Sequence, residues 1–175
     1  MEALSLVTRE SFDAVMRMYT PTVYGIAWSR LSNRADAEDV TQDVFVRYFG
    51  ADITFESEEH RKAWLIKCAV NAVNSYARSS HFKHSARFED IDTLADIAAD
   101  DDVARNAENK ELHGTLHAAV MQLPPKFRTV VHLFYFEDMS IAQISEVTGE
   151  RPATVKTHLS RARDRLRKLL GEVEL

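Results

Sequence analysis

A run of cationic side chains near the end of the chain carries the clearest chemical signal in the sequence. Between Thr148 and Leu170, Lys or Arg stands at seven positions, although the 175-residue chain has a formal net charge of -5. Thr, His and Ser lie between these cations, and acidic residues are nearly absent. Because long cations reach phosphates and guanine acceptors while short hydroxyls contact bases or backbone, the run fits the major groove of DNA.

The elements that would position these side chains form a helix-turn-helix. Ser140 followed by Gln143 predicts a capped helix start, and Thr148-Gly149 predicts its end. Pro152 suits the first turn of a second helix. Apolar residues recur on that helix at spacings of four and three and predict its inward face, namely Val155, Leu159, Ala162, Leu166 and Leu169. The outward residues are therefore candidates for DNA contact, namely Thr154, Lys156, Thr157, His158, Ser160, Arg161, Arg163 and Arg165. An ordinary amphipathic helix with a basic outer face is the simpler alternative.

Other chemistries find little support in the residues. The five glycines are scattered, so neither a phosphate-cradling loop nor a dinucleotide fingerprint is formed. His113 and His117 lie four apart but have no third ligand nearby, and we expect no metal site there. His81 and His84 flank basic residues and are expected to face DNA or water. Cys68 lies in an apolar helix and is read as a core residue. Since no nucleophile and base can be paired, we expect neither a cofactor nor enzymatic activity.

The apolar spacing is helical almost throughout and predicts an all-α fold. A first helix is expected to break near Thr20-Pro21, because proline removes a backbone donor, and a second would then run to Leu31. A third is expected over 36–49, with acidic residues in its first turn where the helix dipole favours them. A fourth is expected over 58–79, with its buried residues at Trp64, Leu65, Cys68, Ala69, Val73 and Tyr76.

The charges are sorted into blocks along the chain. Acidic residues dominate 36–59, no acid occurs over 61–88, and 89–102 holds seven acids and no base. Sorted blocks are typical of faces that meet different partners. We predict two small helical domains, 1–85 and 106–175, joined by an acidic linker at 86–105. Neither a secretory signal nor a membrane span is recognisable, and a cytoplasmic protein is expected.

Four segments, in order, resemble the signatures of bacterial sigma factors of the sigma-70 family. They read DAEDVTQDVFVRYF from Asp36, KAWLIKCAVNAVNSYAR from Lys62, LPPKFRTVVHLFYFEDMSIAQISEVTG from Leu123 and ATVKTHLSRARDRLRKLL from Ala153. The match runs nearly end to end, and the short two-domain layout is similar to that of the extracytoplasmic-function (ECF) group. The resemblance implies a protein that directs core RNA polymerase to the −35 and −10 elements of promoters.

The resemblance implies that the third helix docks on a coiled coil of the largest polymerase subunit. Asp39, Gln42 and Asp43 stand at i, i+3 and i+4, so they share one helix face and could pair with arginines of that partner. The alternative for acids here is complementation of the helix dipole, which we assign to Asp36 and Glu38.

The fourth helix and the loop before it resemble the element that opens and reads the −10 sequence. Single-stranded bases are held by aromatic stacking, side-chain amides and cations. The resemblance places Phe55, Lys67 and Asn71 at the base-reading positions and implies phosphate contacts for Arg61, Lys62 and Arg78. Trp64 matches a family aromatic, although packing in the core is the preferred interpretation. At the position four residues after Asn71, where many members carry Asp, this chain has Ser75.

In the second domain the resemblance places Lys156, Thr157 and Arg161 against double-stranded −35 DNA, with Thr154, His158 and Arg165 nearby. The acidic linker resembles a connector that threads the polymerase channels as a mimic of the phosphate backbone; a merely solvated tether is an equal alternative. An anti-sigma factor is a further implied partner, and the free protein is expected to be monomeric and not embedded in a membrane.

Two other classes of function remain as alternatives. One is a stand-alone helix-turn-helix regulator that binds an operator as a dimer. The other is an enzyme built on a helical bundle, which the missing catalytic residues disfavour. A simple regulator has no need of a strand-opening element, so the acidic third helix and the basic fourth helix favour the sigma-factor interpretation.

Overall fold

The computed structural model describes residues 2–79 and 107–171, with side chains described within 11–79 and 114–171. The described residues form seven α-helices: α1 Glu2–Leu31, α2 Arg34–Gly50, α3 Glu58–Arg78, α4 Ala107–Met121, α5 Pro125–Tyr135, α6 Ile141–Thr148 and α7 Pro152–Leu170. The predicted all-α fold is thereby confirmed. The chain separates into two compact units, Met1–Ala86 and Arg87–Leu175. The predicted linker at 86–105 lies outside the described residues, as do His81 and His84, and the side chain of His113 is not described.

The first unit is a three-helix bundle in which α1, α2 and α3 pack pairwise. Side-chain caps define where two of its helices begin. The Asn33 side chain accepts from the backbone N–H of Asp36, and the Ser57 side chain accepts from that of His60. Such caps satisfy backbone donors that the first helical turn cannot pair internally. The core of the bundle is made of fully buried aliphatic side chains, including Val23, Ile26, Val44, Leu65, Ile66, Val70 and Val73.

The predicted break at Thr20-Pro21 is wrong, because α1 continues through Pro21 as a single helix. Buried residues occur on both sides of the proline at helical spacing, at Val15, Tyr19, Val23 and Ile26. A proline inside a helix costs about 3 kcal/mol. Burial of each large aliphatic side chain returns about 1.5–3 kcal/mol, so packing of the continuous stripe outweighs the missing hydrogen bond.

The second unit is organised around α7, which packs against α4, α5 and α6. Its core joins Ala119 and Leu123, at the end of α4 and just beyond it, to Val131 of α5 and to Ala162 and Leu166 of α7. The buried Arg128 side chain donates from Nη1 to the Met121 carbonyl at 2.9 Å, satisfying an acceptor near the end of α4. The unit therefore packs one face of α7 against three helices and leaves the opposite face to solvent.

Candidate nucleic-acid interface

Local hydrogen bonds define the start of α6 and the turn between α6 and α7. Ser140 Oγ accepts from the Gln143 backbone at 3.2 Å, and the Gln143 side chain accepts from the Ser140 backbone at 2.8 Å, confirming the predicted capping box. Gly149 follows α6 with φ +74°, a conformation that favours glycine. Ser145 Oγ then donates to the Glu150 carbonyl at 2.6 Å. These bonds set the direction in which the chain enters α7.

The inward face of α7 agrees with the sequence prediction except at its last member. Val155, Leu159, Ala162 and Leu166 are buried, whereas Leu169 is 44% exposed. Leu169 lies in the last turn of α7, close to the end of the helix, and solvent reaches it there. The opposite face presents exposed Lys156, Thr157, Arg161 and Arg165, with Thr154 half-buried beside them. Four of the six predicted −35 residues are thus accessible along one side of the helix.

His158 is held against the body of the second unit. Its imidazole lies 5.0 Å from the Phe127 ring, centroid to centroid, and its Nδ1 lies 3.1 Å from Glu150 Oε2. Only 15% of the His158 side chain is exposed. The Arg165 guanidinium lies 5.6 Å from the same Phe127 ring. Phe127 of α5 therefore packs against two residues at one side of the cationic face of α7. The spacing of residues on α7 does not reveal this contact.

Arg163 is engaged within its own unit. Its Nε donates to the Tyr135 hydroxyl at 2.8 Å, and its guanidinium lies 5.8 Å from the rings of both Phe134 and Tyr135. The sequence placed this arginine on the outer face of α7 with the DNA-contacting candidates. In the structure it joins α7 to the end of α5, whereas Arg161 and Arg165, two residues to either side of it, are exposed.

The exposed side of α3 brings together three of the residues predicted to bind −10 DNA. Lys67, Asn71 and Arg78 are exposed and, at spacings of four and seven, lie on one face of the helix. Arg61 and Lys62 are half-buried and point to other sides of α3. The face therefore offers an ammonium, an amide and a guanidinium in a row of about 16 Å, from the helical rise per residue.

Arg61 is bound within the first unit. Its Nη1 lies 2.5 Å from Glu58 Oε1, and its guanidinium lies 5.6 Å from the Phe55 ring centre. The Tyr19 hydroxyl of α1 donates to Glu58 Oε2 at 2.9 Å, so Glu58 joins α1 to the start of α3. Arg61 thus contacts both the first residue of α3 and the Phe55 ring in the loop between α2 and α3.

Phe55 belongs to an aromatic cluster that the sequence did not reveal. Its ring stacks on Tyr48 at 5.8 Å with an interplanar angle of 20°. It also meets the edges of Trp64 at 5.8 Å and of His60 at 5.4 Å. Phe55 and Trp64 are both half-buried, so each ring combines packing contacts with an accessible part. The sequence signal for this cluster was limited to the presence of aromatics near each end of the loop.

The acidic face of α2 is exposed as the sequence predicted. Asp39, Gln42 and Asp43 point to solvent, while Ala37, Val40 and Val44 of the same helix are buried. Val46 follows on the same face, one turn beyond Gln42 and Asp43, and is 70% exposed. An exposed valine beside two carboxylates gives this face an apolar end that sequence reasoning had missed.

A tyrosine–carboxylate bond ties α3 to the start of α2. The Tyr76 hydroxyl donates to Asp36 Oδ1 at 2.5 Å. This hydrogen bond, with burial as the second cause, raises the pKa of Tyr76 to about 12. Asp36 is 9% exposed and therefore acts in packing between helices in addition to its place in the first turn of α2. Tyr76, predicted to be buried, is half-buried.

Within the described residues no group of three or more potential metal ligands is present. His117 is half-buried, and burial lowers the pKa of its imidazole. Cys68 is also half-buried rather than fully in the core, and burial raises the pKa of its thiol. Among the described helices, none combines the length and apolar character that crossing a membrane requires.

Comparison with known proteins identifies both units. Residues 15–82 match the family model "Sigma-70 region 2", and residues 113–166 match "Sigma-70, region 4". The RNA polymerase sigma factor CarQ of Myxococcus xanthus is 30% identical over 168 residues, covering 95% of this chain and 93% of CarQ. The ECF RNA polymerase sigma factor SigW of Bacillus subtilis is 28% identical over 171 residues, covering 94% of this chain and 91% of SigW.

Two solved structures share the fold. The sigma factor RpoE from Bartonella quintana, solved with the anti-sigma factor NepR, aligns with a TM-score of 0.69 at 21% identity, covering 94% of this chain and 99% of that one. CnrH, solved with the cytosolic domain of CnrY, aligns with a TM-score of 0.57 at 21% identity, covering 95% of this chain and 91% of that one.

Proposed function

The chain belongs to the sigma-70 family of RNA polymerase sigma factors, in its ECF group, and from this premise we propose how its surfaces divide the work of promoter recognition. As a sigma factor it directs core RNA polymerase to promoters. One observation carries the proposed division. Three exposed faces of different chemistry, acidic on α2, amide and cationic on α3, and cationic with hydroxyls on α7, occur on separate helices of one chain.

The α7 face is proposed to bind the −35 element as duplex DNA. The turn between α6 and α7, formed by Gly149 and the hydrogen bond from Ser145 to the Glu150 carbonyl, directs the N-terminal half of α7 toward the major groove. There Lys156, Thr157 and Arg161 would meet base edges and phosphates. Thr154 and Arg165 would extend this contact, and His158 would act at its edge because its ring is packed on Phe127. Affinity through this face should fall as salt rises, since cations that bind phosphates release counterions.

The α3 face is proposed to hold the −10 element as a single strand. Lys67 and Arg78 supply positive charge for phosphates, and Asn71 supplies an amide that can hydrogen-bond a base edge. Phe55 would provide an aromatic wall for an unstacked base. Lys62 is assigned to the margin of this surface. Arg61 is assigned to loop support, because it is already bound to Glu58 and lies against the Phe55 ring.

The α2 face is proposed as the docking surface for core polymerase. Asp39 and Asp43 would pair with basic groups of the partner, Gln42 would add an amide contact, and Val46 would bury apolar area at the end of the same face. Interfaces commonly combine an apolar centre with charges that set orientation. Nucleotide addition belongs to the polymerase, and this chain is assigned no catalytic step.

Further partners and states are proposed from family membership. The protein would work in the cytoplasm, where polymerase and promoter DNA meet, and would be monomeric when free. An anti-sigma factor is proposed as a second protein partner, because RpoE of Bartonella quintana was solved with one. Recovery of polymerase but no other partner, from native cells grown under both inducing and non-inducing conditions, would argue against this regulator.

Run-off transcription with purified core polymerase on a genomic promoter library tests the proposed function. We expect start sites that occur only when the protein is added. Substitution of Asp39→Asn with Asp43→Asn should remove these starts and weaken core binding about tenfold or more, because charges at an interface are lost without a change of shape.

Glu38→Gln is the matched control for that pair. Glu38 is exposed, lies about 100° around α2 from Asp39, and forms an i,i+4 ion pair with Arg34 at 2.7 Å. Because exposed ion pairs contribute little, this variant should keep the new start sites. Core binding that survives loss of both aspartates would contradict the docking role, and an absence of any core binding by the native chain would contradict the proposed function.

A further inference from the structure

Tyr48 makes three aromatic contacts within the first unit. It lies in the last turn of α2. Its ring stacks on Phe12 of α1 at 6.1 Å and on Phe55 of the loop at 5.8 Å, with interplanar angles of 16° and 20°. It also meets Trp64 of α3 edge-on at 6.0 Å. Tyr48 thus connects the loop before α3 to all three helices.

The loop depends on these side-chain contacts for its conformation. Residues 51–57 contain no helix, and exposed side chains stand at Asp52, Ile53 and Thr54. Close to the end of the loop, the Glu56 backbone donates to His60 Nδ1 at 3.3 Å. Before that point Phe55 is the side chain that packs inward, on Tyr48, Trp64 and His60. Removal of the Tyr48 ring would take away the parallel stack on Phe55.

We propose that Tyr48 is a positioning residue for capture of the −10 strand, since its stack on Phe55 sets the place and tilt of the ring that forms the wall for an unstacked base. This inference rests on the proposed role of Phe55 and α3. Tyr48 itself is half-buried and acts through Phe55.

The position of Tyr48 on α2 separates this role from polymerase docking. At 100° per residue, Tyr48 lies about 140° around the helix from Asp43 and about 180° from Asp39. The docking face and the aromatic contact therefore occupy different sides of one helix. A change at Tyr48 should leave affinity for core polymerase unaltered while it weakens the hold on single-stranded DNA.

Binding of a single-stranded −10 oligonucleotide to the reconstituted holoenzyme tests the inference. The oligonucleotide takes its non-template sequence from a promoter found by run-off transcription, and binding is followed by fluorescence anisotropy. Tyr48→Leu should weaken binding about 2- to 10-fold, the range expected for loss of an aromatic pair. Tyr48→Phe, which keeps the ring, should bind within about twofold of the native protein. Core affinity, measured in parallel, should be the same for all variants.

Two further variants keep the test decisive. Phe55→Ala reports on the proposed −10 surface itself, and Tyr48→Leu should cause no added loss in a chain that already carries Phe55→Ala, because coupled residues act through one contact. Tyr48→Met fills similar space without a ring and replaces Tyr48→Leu if circular dichroism shows that the leucine variant does not fold.

The outcomes separate this inference from the proposal on which it rests. If Phe55→Ala binds the oligonucleotide normally, the −10 assignment of Phe55 fails and the role of Tyr48 fails with it. If Phe55→Ala weakens binding and a folded Tyr48→Leu or Tyr48→Met does not, the role of Tyr48 alone is overturned. An equal loss of core affinity in Tyr48→Leu would also overturn it, because Tyr48 would then belong to the docking surface.

Discussion

Replacement of two arginines that lie two residues apart on α7 gives the sharpest test of how this helix faces DNA. Arg161 is exposed on the outward face. Arg163 donates from Nε to the Tyr135 hydroxyl at 2.8 Å and lies 5.8 Å from two aromatic rings. Both substitutions replace an arginine by alanine, so any difference between their effects comes from where the arginine lies on α7. We expect Arg161→Ala to weaken DNA binding and Arg163→Ala to weaken folding.

The magnitudes follow from the contacts that each arginine makes or is proposed to make. Loss of one phosphate contact should reduce the slope of log K against log salt by about 0.9, and loss of a bidentate contact to guanine should lower −35 affinity about 5- to 150-fold. For Arg163→Ala, one hydrogen bond contributes about 0.5–1.5 kcal/mol. Each exposed cation–π contact adds about 0.5–1 kcal/mol. With both aromatic contacts included, we expect a destabilisation of about 1.5–3.5 kcal/mol in total.

The assay combines two measurements on the full-length protein. Holoenzyme binding to a −35 duplex is measured at four salt concentrations, and unfolding of the free chain is measured by urea titration. Arg161→Ala should reduce the salt slope of DNA binding and leave the urea midpoint of unfolding unchanged. Arg163→Ala should lower the urea midpoint and leave the salt slope unchanged. If Arg163→Ala lowers the salt slope as much as Arg161→Ala does, the contact with Tyr135 is not kept on DNA and the assignment of the outward face is refuted.

Three further substitutions test the turn, the bundle and the loop. Gly149→Ala should destabilise the second unit by about 1–2 kcal/mol, because φ +74° disfavours a Cβ atom even though nothing lies within 4 Å of it; a urea midpoint measures this. Tyr76→Phe should cost about 1–2 kcal/mol at pH 7, because it removes the hydrogen bond to Asp36. The pKa of Tyr76 rises from 10.0 to about 12 in the folded chain. The difference in unfolding free energy between the native protein and Tyr76→Phe should therefore be constant below pH 10 and shrink between pH 10 and 12. Urea unfolding at several pH values measures it. Arg61→Ala should leave the salt slope for single-stranded −10 DNA unchanged, because the Arg61 guanidinium is paired with Glu58 and lies against the Phe55 ring.

Matched controls accompany these substitutions. Gly114→Ala places the same methyl group inside α4, again with nothing within 4 Å, and should stabilise the unit by up to about 1 kcal/mol. Equal effects of the two glycine changes would contradict the backbone argument. Arg78→Ala should lower the single-strand salt slope by about 0.7. A similar drop for Arg61→Ala would show that Arg61 reaches a phosphate, and a Tyr76→Phe difference that is constant to pH 12 would exclude the proposed titration.

Local signals predicted the second unit well. Ser140 and Gln143 predicted the start of α6, Gly149 its end and Pro152 the start of α7, because each acts within a few residues of itself. The exposed acids of α2 followed from helical spacing for the same reason. At Pro21 a local rule gave the wrong answer, since burial on both sides of the proline is a property of the whole bundle.

Contacts between separate elements were beyond the reach of sequence reasoning. Arg61 and Arg163 were read as DNA-facing cations from their charge and position. Arg61 contacts Glu58 of its own helix and Phe55 of the preceding loop. Arg163 contacts Tyr135, which lies on another helix. No helical periodicity links these pairs, because Phe55 lies in the loop before α3 and Tyr135 lies at the end of a different helix, α5. Packing between elements therefore decides which cations remain accessible to DNA.

Permanganate reactivity of thymines in the −10 region tests promoter opening most directly. The probe oxidises unpaired thymines, and a promoter found by run-off transcription supplies the template. We expect reactive thymines only when this protein and core polymerase are both present, and their loss when Asp39→Asn and Asp43→Asn are combined. Sequence-specific binding of the free protein as a dimer, with the same thymines unreactive in the presence of polymerase, would contradict the sigma-factor function.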